Sequence, residues 1–363
     1  MAPNANSGNR RLPSILIFFI GSLGDTIAAL PTFHWVRNAY PTHKIVLLTN
    51  TPADGGIKAA SSVQILSGTG LIDEYLEYPY RKSTFSSSLA LLSLIRKSNP
   101  EFGCYLIQRR TNLQLIRDKL FFLAAGVKKV FGLTIPLLDH RKPIDPSGLW
   151  ESEPHRMLRN VFGIDKPLLL ADFNLNLSIE EKKSAREVVT KHLLGEAFIV
   201  VSVGTKVTSN DWGQDRWLNL LNRLSPIHGK FSIVFIGSAD EFDRSEILAG
   251  TWMGTKVNLC GRTSPRVSAA LLSIAKLFIG HDSGPMHLAA AVGIPIISIF
   301  SARNMPGLWF PIGQEGNVFY RNVPCRDCRL DVCTVNAKRC LTEIDPAEVA
   351  QRAAHLLDPA KAT

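Results

Sequence analysis

Short apolar segments alternate with longer amphipathic segments along most of the chain. Segments such as SILIFFI, KIVLLTN, AFIVVSVG and FSIVFIG are rich in aliphatic and β-branched residues, which is typical of buried strands. Segments with helical periodicity, such as TNLQLIRDKLFFLAAG, separate them. Because strands that alternate with helices form parallel sheets, the pattern predicts an α/β protein built from repeated β–α units.

The alternation breaks once, between about residues 140 and 177, where four prolines interrupt it, and it then restarts. A chain of 363 residues is long for one domain and comfortable for two. We therefore predict two Rossmann-like, doubly wound domains that face a central cleft. The predicted parts are a disordered leader (1–13), an N-terminal domain (14–170), a C-terminal domain (171–344) and a final helix segment (345–363).

The composition narrows the classes of partner. The 41 Lys and Arg residues exceed the 31 Asp and Glu residues, so the formal charge of +10 favours anionic partners. The basic pairs are scattered and accompany no RNP-like aromatic motif or DNA-reading helix, so nucleic acid is not predicted. The early apolar run Ile15–Ile20 is too short to cross a bilayer, and no secretory signal is evident. We predict a cytoplasmic protein.

The segment HDSGPMHLAAAVGIP (281–295) concentrates polar groups between two strand-like segments. Asp282 or Ser283 can cap a helix whose first turn holds a proline, where a missing N–H has no cost. Gly284 lets a ligand approach the backbone, and His287 can add a proton or a positive charge. The free N–H groups of such a helix start attract anions. The segment therefore predicts a diphosphate cradle; the alternative is a plain helix cap.

Two further strand-to-helix loops carry candidate chemistry. The segment FFIGSLGDTIAALP (18–31) is glycine-rich but lacks the spacing of a dinucleotide fingerprint or of a P-loop. Its Asp25 can serve as a helix cap or as a general base. In VSVGTKVTSNDWGQDRW (201–217), Thr205 and Lys206 can hold phosphate oxygens, or they lie in an ordinary surface loop.

Four of the six cysteines form a C-x2-C-x4-C-x6-C run. Cys325, Cys328, Cys333 and Cys340 can supply the four soft ligands of a structural zinc ion. The spacing is not that of a common zinc finger, so reduced thiols or a redox-sensitive pair are the alternative.

Taken together, SLGDTIAALP, the GTK…DW loop and HDSGPMHLAAAVGIPIISIF resemble glycosyltransferase family 9, whose best-known members are lipopolysaccharide heptosyltransferases. The resemblance runs from about Ser14 to Val349. It implies a GT-B fold with an acceptor-binding N-terminal domain and a donor-binding C-terminal domain. It also implies inverting, metal-independent transfer from a nucleotide-activated sugar, often ADP-heptose, so catalysis should need no cofactor.

The resemblance assigns roles residue by residue. It implies Asp25 as the catalytic base. An acidic residue within 237–243 could bond the donor ribose or base, or this segment is an ordinary helix start. The chain departs from the family at Asn210, where a phosphate-contacting lysine is expected, and Lys206 could replace it. The implied donor-binding residues are Gly204, Thr205, Lys206, Asp282, Ser283, Gly284 and His287, and the acceptor or loop candidates are Ser22, Gly24 and Arg303.

Other functions are compatible with the same motifs. A GT-B sugar-nucleotide epimerase or a non-catalytic nucleotide-sugar-binding protein would also need the donor site. A phosphohydrolase of the HD type is disfavoured, because the other histidines do not group around the His281-Asp282 pair. For a transferase, the expected partners are a nucleotide-sugar donor and an anionic glycolipid acceptor. We expect the final helix to return to the first domain, whose basic surface would face the inner membrane.

Overall fold

The computed structural model describes most of the chain, in five stretches. These are residues 13–50, 60–78, 85–107, 111–134 and 148–358. The predicted leader, apart from Pro13, lies outside the described residues. No helix within these stretches is long and apolar enough to cross a bilayer.

The first half forms a parallel five-stranded sheet in the order β3-β2-β1-β4-β5. Its strands are β1 (Ser14–Phe18), β2 (Lys44–Asn50), β3 (Glu74–Tyr78), β4 (Pro100–Tyr105) and β5 (Val130–Phe131). Its helices are α1 (Leu23–Ala39), α2 (Ser62–Leu66), α3 (Phe85–Ser98), α4 (Asn112–Ala124) and α5 (Glu153–Phe162). Side chains of β1 alternate between faces: Ile15 and Ile17 pack with α1, α2 and α5, whereas Leu16 and Phe18 pack with α3 and α4.

The second half forms a parallel six-stranded sheet in the order β11-β10-β9-β6-β7-β8. Its strands are β6 (Phe198–Ser202), β7 (Ser232–Phe235), β8 (Lys256–Asn258), β9 (Leu277–His281), β10 (Ile296–Phe300) and β11 (Val318–Tyr320). Its helices are α6 (Ile179–Lys191), α7 (Gln214–Leu224), α8 (Phe242–Ala249), α9 (Pro265–Leu272), α10 (Gly284–Val292), α11 (Arg339–Thr342) and α12 (Pro346–Leu357). The two doubly wound sheets agree with the predicted fold class.

One hydrophobic core crosses from the first half into the second. The layer containing α1 continues into the layer containing α9 and α10. Helix α1 packs against α10, and α2 packs against α9. Because a doubly wound sheet binds ligands where its strand order reverses, the relevant positions are β1/β4 in one sheet and β6/β9 in the other.

Arg266 of α9 ties the two halves together. Its guanidinium is buried and donates to the carbonyl oxygens of Ile65 (2.8 Å) and Leu175 (3.1 Å), and it pairs with Glu181. Although burial alone raises the pKa of Glu181, hydrogen bonds from Arg266 and Ser178 hold it below its usual range. A buried guanidinium with all these acceptors fixes α2, α6 and the chain between the halves relative to one another.

The final helix packs on the second domain, so the prediction that it returns to the first is wrong. Helix α12 lies against α7 and contacts β9 and β10. Its buried residues Val349 and Ala353 join Trp217 and Leu220 in the core on that face of the second sheet. The apolar stripe of α12 is thus buried within the second domain, against α7, β9 and β10.

Candidate functional site

A cleft of about 980 Å³ lies between the two domains. The loops that follow β1, β6 and β9 line it, as the reversal of strand order in each sheet predicts. The structure brings together all the predicted catalytic, donor and acceptor residues on its wall: Ser22, Gly24, Asp25, Gly204, Thr205, Lys206, Asp282, Ser283, Gly284, His287 and Arg303.

Asp25 lies in the first turn of α1. The N–H and the hydroxyl of Ser22, the residue before the helix, donate to Asp25 Oδ2 at 2.8 and 2.7 Å. Over the described chain no hydrogen bond engages Oδ1. The carboxylate is therefore held in place through one oxygen, which suits a base that must present the other to a substrate.

The N-terminus of α10 has the properties of an anion site. Ser283 precedes the helix, but its hydroxyl is buried and finds no partner among the described atoms. No described group accepts from the N–H of Ser283 or Gly284, and Asp282 makes no capping bond to them. The Ser202 hydroxyl, at the end of β6, is also buried, unpartnered and on the cleft wall. Unsatisfied donors at a helix start favour a bound anion over the plain helix cap.

Two glycines allow the starts of α1 and α10 to meet. A Cβ at Gly24 would lie 2.7 Å from His287 Cδ2, and a Cβ at Gly284 would lie 2.5 Å from Leu23 Cδ2. Side chains at either position would push the helices apart. Gly284 therefore serves the contact between domains, a role that the sequence analysis did not predict.

Burial sets the charges at this helix contact. It raises the pKa of Asp282 to about 7, with the Arg303 charge opposing and the Asp25 charge reinforcing the shift. Burial also lowers the pKa of His287 to about 4, although the negative charge of Asp25 acts to raise it. His287 Nε2 lies 3.9 Å from Asp282 Oδ1. At neutral pH His287 is thus uncharged, which disfavours the alternative that it supplies a positive charge; that it supplies a proton stays a prediction.

His281 has a structural role. The ring is fully buried at the end of β9, where its Nε2 accepts from the Trp212 N–H at 3.1 Å and it meets the Trp217 ring in a T-shaped contact. Burial lowers its pKa to about 4. The ring therefore ties the loop after β6 to β9, and this contact gives the His281-Asp282 doublet no likeness to an HD phosphohydrolase site.

The loop after β6 presents one exposed cation to the cleft. Thr205 donates its hydroxyl to Val207 O at 2.8 Å, and Lys206 is exposed with no ion pair in the described part of the chain. Asn210, at the position of the expected lysine, is buried and accepts from the Ser301 hydroxyl at 2.6 Å. Lys206 thus lies on the cleft wall, and its replacement of the expected lysine stays a prediction, whereas Asn210 fixes the neighbouring loop.

Glu241 is the acidic residue of the 237–243 segment that reaches the cleft wall. The Glu241 carboxyl packs against the backbone of Gly204 and Gly237. A Cβ would lie 1.8 Å from this carboxyl at Gly204 and 2.0 Å from it at Gly237. Ser238 donates its hydroxyl to Glu241 Oε1 at 2.8 Å. The glycines that follow β6 and β7 could have indicated a position where a side chain passes close to the backbone. Only the folded sheet, however, brings the two glycines together under Glu241.

The loop that carries the four cysteines (325–340) contacts two of the loops that line the cleft. Arg303 donates to Leu330 O (2.8 Å) and to Asp331 Oδ1 (2.6 Å) in this loop, and Ser209 donates its hydroxyl to Leu330 O (2.6 Å). Arg303 is therefore anchored, although its charge still acts on Asp282. The loop positions both the β6 and β10 loops of the cleft.

The four cysteines of this loop line one small cavity of about 20 Å³. All are free thiols, and burial together with the neighbouring thiols raises the pKa of Cys340. Across the described ranges, however, no three His, Cys, Asp or Glu side chains are arranged to hold a metal ion. The described thiols are therefore not arranged as metal ligands here; structural zinc stays a prediction and enters no step of the chemistry.

The comparisons with known proteins agree on one family. The family model described as Glycosyltransferase family 9 (heptosyltransferase) matches residues 135–338, more than half of the chain. Lipopolysaccharide heptosyltransferase 3 of Escherichia coli is 29% identical over 325 residues, which cover 84% of this chain and 89% of that protein.

Solved structures share the fold over nearly the whole length. A glycosyl transferase family 9 protein from Veillonella parvula aligns with a TM-score of 0.73 at 16% identity, covering 95% of this chain and 97% of that one. The ADP-heptose lps heptosyltransferase II of E. coli aligns with a TM-score of 0.68 at 19% identity, covering 96% and 99%. The predicted GT-B fold is confirmed.

Proposed function

The chain belongs to glycosyltransferase family 9, and from this premise we propose that it transfers heptose from ADP-heptose to a lipopolysaccharide core. The observation that carries the proposal is the placement of Asp25 and the unsatisfied N-terminus of α10 on one cleft, from opposite domains. The E. coli relative, named as a lipopolysaccharide heptosyltransferase, supports the choice of sugar and acceptor. Its similarity covers both domains, so the donor and acceptor sides are both represented.

Asp25 acts as the general base of an inverting transfer. Its carboxylate takes the proton of an acceptor hydroxyl while that oxygen attacks the anomeric carbon of the donor sugar. The bond from this carbon to the diphosphate oxygen breaks on the opposite face, and the electron pair leaves with the nucleoside diphosphate. The hydrogen bonds from Ser22 keep the carboxylate oriented during the proton transfer.

The start of α10 stabilises the departing diphosphate. The N–H groups of Ser283 and Gly284 and the positive end of the helix dipole would face the developing negative charge. Lys206 adds a positive charge from the loop after β6. We propose that these groups make the transfer independent of a metal ion.

Glu241 binds the nucleoside part of the donor. Its carboxylate lies on the donor-domain wall and accepts a hydrogen bond from Ser238, so it is placed to accept hydrogen bonds from ribose hydroxyls. The acceptor then enters from the Asp25 side. Closure of the two domains around both substrates would align them and exclude water.

The competing functions differ in what they require of Asp25. An epimerase would bind a similar nucleotide sugar without an acceptor, and a binding protein would need no base. The family match favours transfer over both. We further propose that the protein works in the cytoplasm at the inner face of the membrane, because a glycolipid acceptor is presented there.

The test compares Asp25→Asn with wild type in transfer and in nucleotide binding. Removing the base should lower kcat by about 10²- to 10⁴-fold and leave thermal stabilisation by ADP unchanged. Asp215→Asn is the matched control, because Asp215 lies in the first turn of α7 outside the cleft. This control variant should keep the wild-type rate of transfer and the wild-type stabilisation by ADP.

The outcomes separate the functions. Full activity of Asp25→Asn would refute its role as the base. Stabilisation by ADP without transfer to any lipopolysaccharide core acceptor would favour a binding protein or an epimerase. Stabilisation by GDP or UDP in place of ADP would refute ADP-heptose as the donor.

A further inference from the structure

Helices α3 and α4 carry six large apolar side chains that remain exposed. On α4 they recur three or four residues apart, so they form one stripe along the helix, in which Leu113 is 80% and Leu120 is 61% exposed. We call these six residues the α3–α4 face: Leu89, Leu94, Leu113, Ile116, Leu120 and Leu123.

Packing in the core does not require these six apolar side chains, because other residues of α3 and α4 already cover the sheet. The opposite sides of the same helices are already buried against the first sheet through Leu91 and Ile95 of α3 and Leu115 and Phe122 of α4. In the second domain the described exposed apolar residues are dispersed over several elements. Because isolated exposed apolar residues are common and contiguous patches are not, the α3–α4 face indicates a binding surface.

The two helices form one continuous surface. Arg96, in the last turn of α3, donates from Nε and Nη2 to the carbonyl oxygen of Ala124 at the end of α4, at 2.9 and 2.6 Å. Both helices cover the same face of the same sheet. The α3–α4 face is therefore a single patch.

The charged residues of the chain segments that carry the patch are mostly positive. In the described parts of residues 85–134, Glu101 and Asp118 are the acidic residues, and Asp118 is buried and bonded to Tyr105 and Arg117. The cations there are Arg96, Lys97, Arg117, Lys119, Lys128 and Lys129. A second copy of this chain would bring like charges together, whereas an anionic surface would neutralise them.

The patch also extends to the cleft edge of the domain. In a parallel sheet the covering helices run against the strands, so α3 and α4 start at the edge where the strands end. The Asp25 loop follows β1 at that same edge. A surface beneath the patch would therefore reach the acceptor side of the cleft.

We propose that the α3–α4 face docks this protein on an anionic lipid bilayer. The leucine and isoleucine side chains enter the boundary between headgroups and acyl chains, and the surrounding lysines and arginines contact anionic headgroups. The proposal deepens the proposed function, since it places the cleft next to a lipid-linked acceptor.

Co-sedimentation with vesicles tests this docking. The vesicles contain equal parts of phosphatidylglycerol and phosphatidylcholine, or phosphatidylcholine alone, and neither donor nor acceptor is present. Wild type should bind the anionic vesicles, and less tightly at high salt. Combining Leu113→Ser, Ile116→Ser and Leu120→Ser should weaken binding at least about 10-fold.

The matched control combines Ile179→Ser, Ile247→Ser and Met253→Ser, which remove equally exposed apolar side chains from the second domain. It should bind vesicles as wild type does. Both triple variants should keep the wild-type melting temperature and the activity on a water-soluble core oligosaccharide, so a failure of the transferase assay is distinguishable from a failure of docking.

Three results would overturn the proposal. Wild-type protein could fail to bind anionic vesicles, or the two triple variants could bind equally. Alternatively, light scattering could show a wild-type dimer that the substitutions in α4 dissociate, which would identify the patch as a contact between two copies of the chain.

Discussion

Replacing Asp282 with asparagine should raise the free energy of unfolding of the protein without added ligand, and the gain should increase as the pH rises. The carboxyl lies between the starts of α1 and α10, where burial and the Asp25 charge raise its pKa to about 7. Asparagine has nearly the same shape and no ionisable proton. The substitution therefore removes the cost of holding a buried negative charge and leaves the packing almost unchanged.

The size of the effect follows from proton linkage. In the unfolded chain the carboxyl ionises near its ordinary value of 3.8, well before the folded form at about 7. Between these values the folded state binds more protons, so the wild-type free energy of unfolding falls as pH rises. The advantage of Asp282→Asn should grow from about 2 kcal/mol near pH 5.5 to about 4 kcal/mol near pH 8.

Urea denaturation of wild type and variant at those two pH values measures the difference. In the folded state the lowered pKa of His287, about 4, keeps that ring neutral throughout the range. In the unfolded chain the ring titrates alike in wild type and variant, so its contribution cancels from the difference. Asp215→Asn serves as the control, because that carboxyl is exposed in the first turn of α7. It should show no such pH-dependent gain.

A gain that does not change with pH, or an Asp282→Asn variant less stable than wild type at pH 8, would refute this account. Either result would mean that the folded cleft does not oppose ionisation of this carboxyl, for example because Arg303 offsets the effect of burial. A confirmed gain would show that the protein retains a destabilising charge at the cleft, as expected for a functional residue.

Three further predictions concern packing and burial. Gly24→Ala should cost about 1–3 kcal/mol in stability and slow transfer, because the new methyl meets the His287 ring; Gly316→Ala, in open space, should be neutral by thermal unfolding. Arg266→Met should cost about 3–5 kcal/mol in urea unfolding, because a partly buried carboxylate and the buried carbonyls of Ile65 and Leu175 lose their donor, and Arg223→Met, on the surface, should not. The buried Cys104 thiol, whose pKa burial raises, should resist iodoacetamide in the native protein and react only after unfolding, as mass spectrometry would show; labelling of the native protein would contradict its place in the core.

The sequence predicted the sheets and the loops that line the cleft. Apolar strand segments followed by helices specify parallel β–α units, and parallel strands bring their carboxyl ends to one edge. The meeting of Lys206 and the 282–287 turn at one edge of the second sheet follows from that geometry, as does the place of Asp25 at the corresponding edge of the first sheet. These features are encoded locally, since each depends on a short pattern and on the direction of the chain after a strand.

Only the tertiary structure decided which partners complete the site. The Glu241 carboxyl lies over two glycines from the loops after β6 and β7, Leu23 fills the space beside Gly284, and α12 packs on the second domain. The uncharged state of His287 likewise depends on burial of its ring, and the start of α1, from the other domain, packs directly against that ring at Gly24. Such contacts join residues far apart in the chain, and desolvation acts only when both surfaces are in place, so no local pattern could specify them.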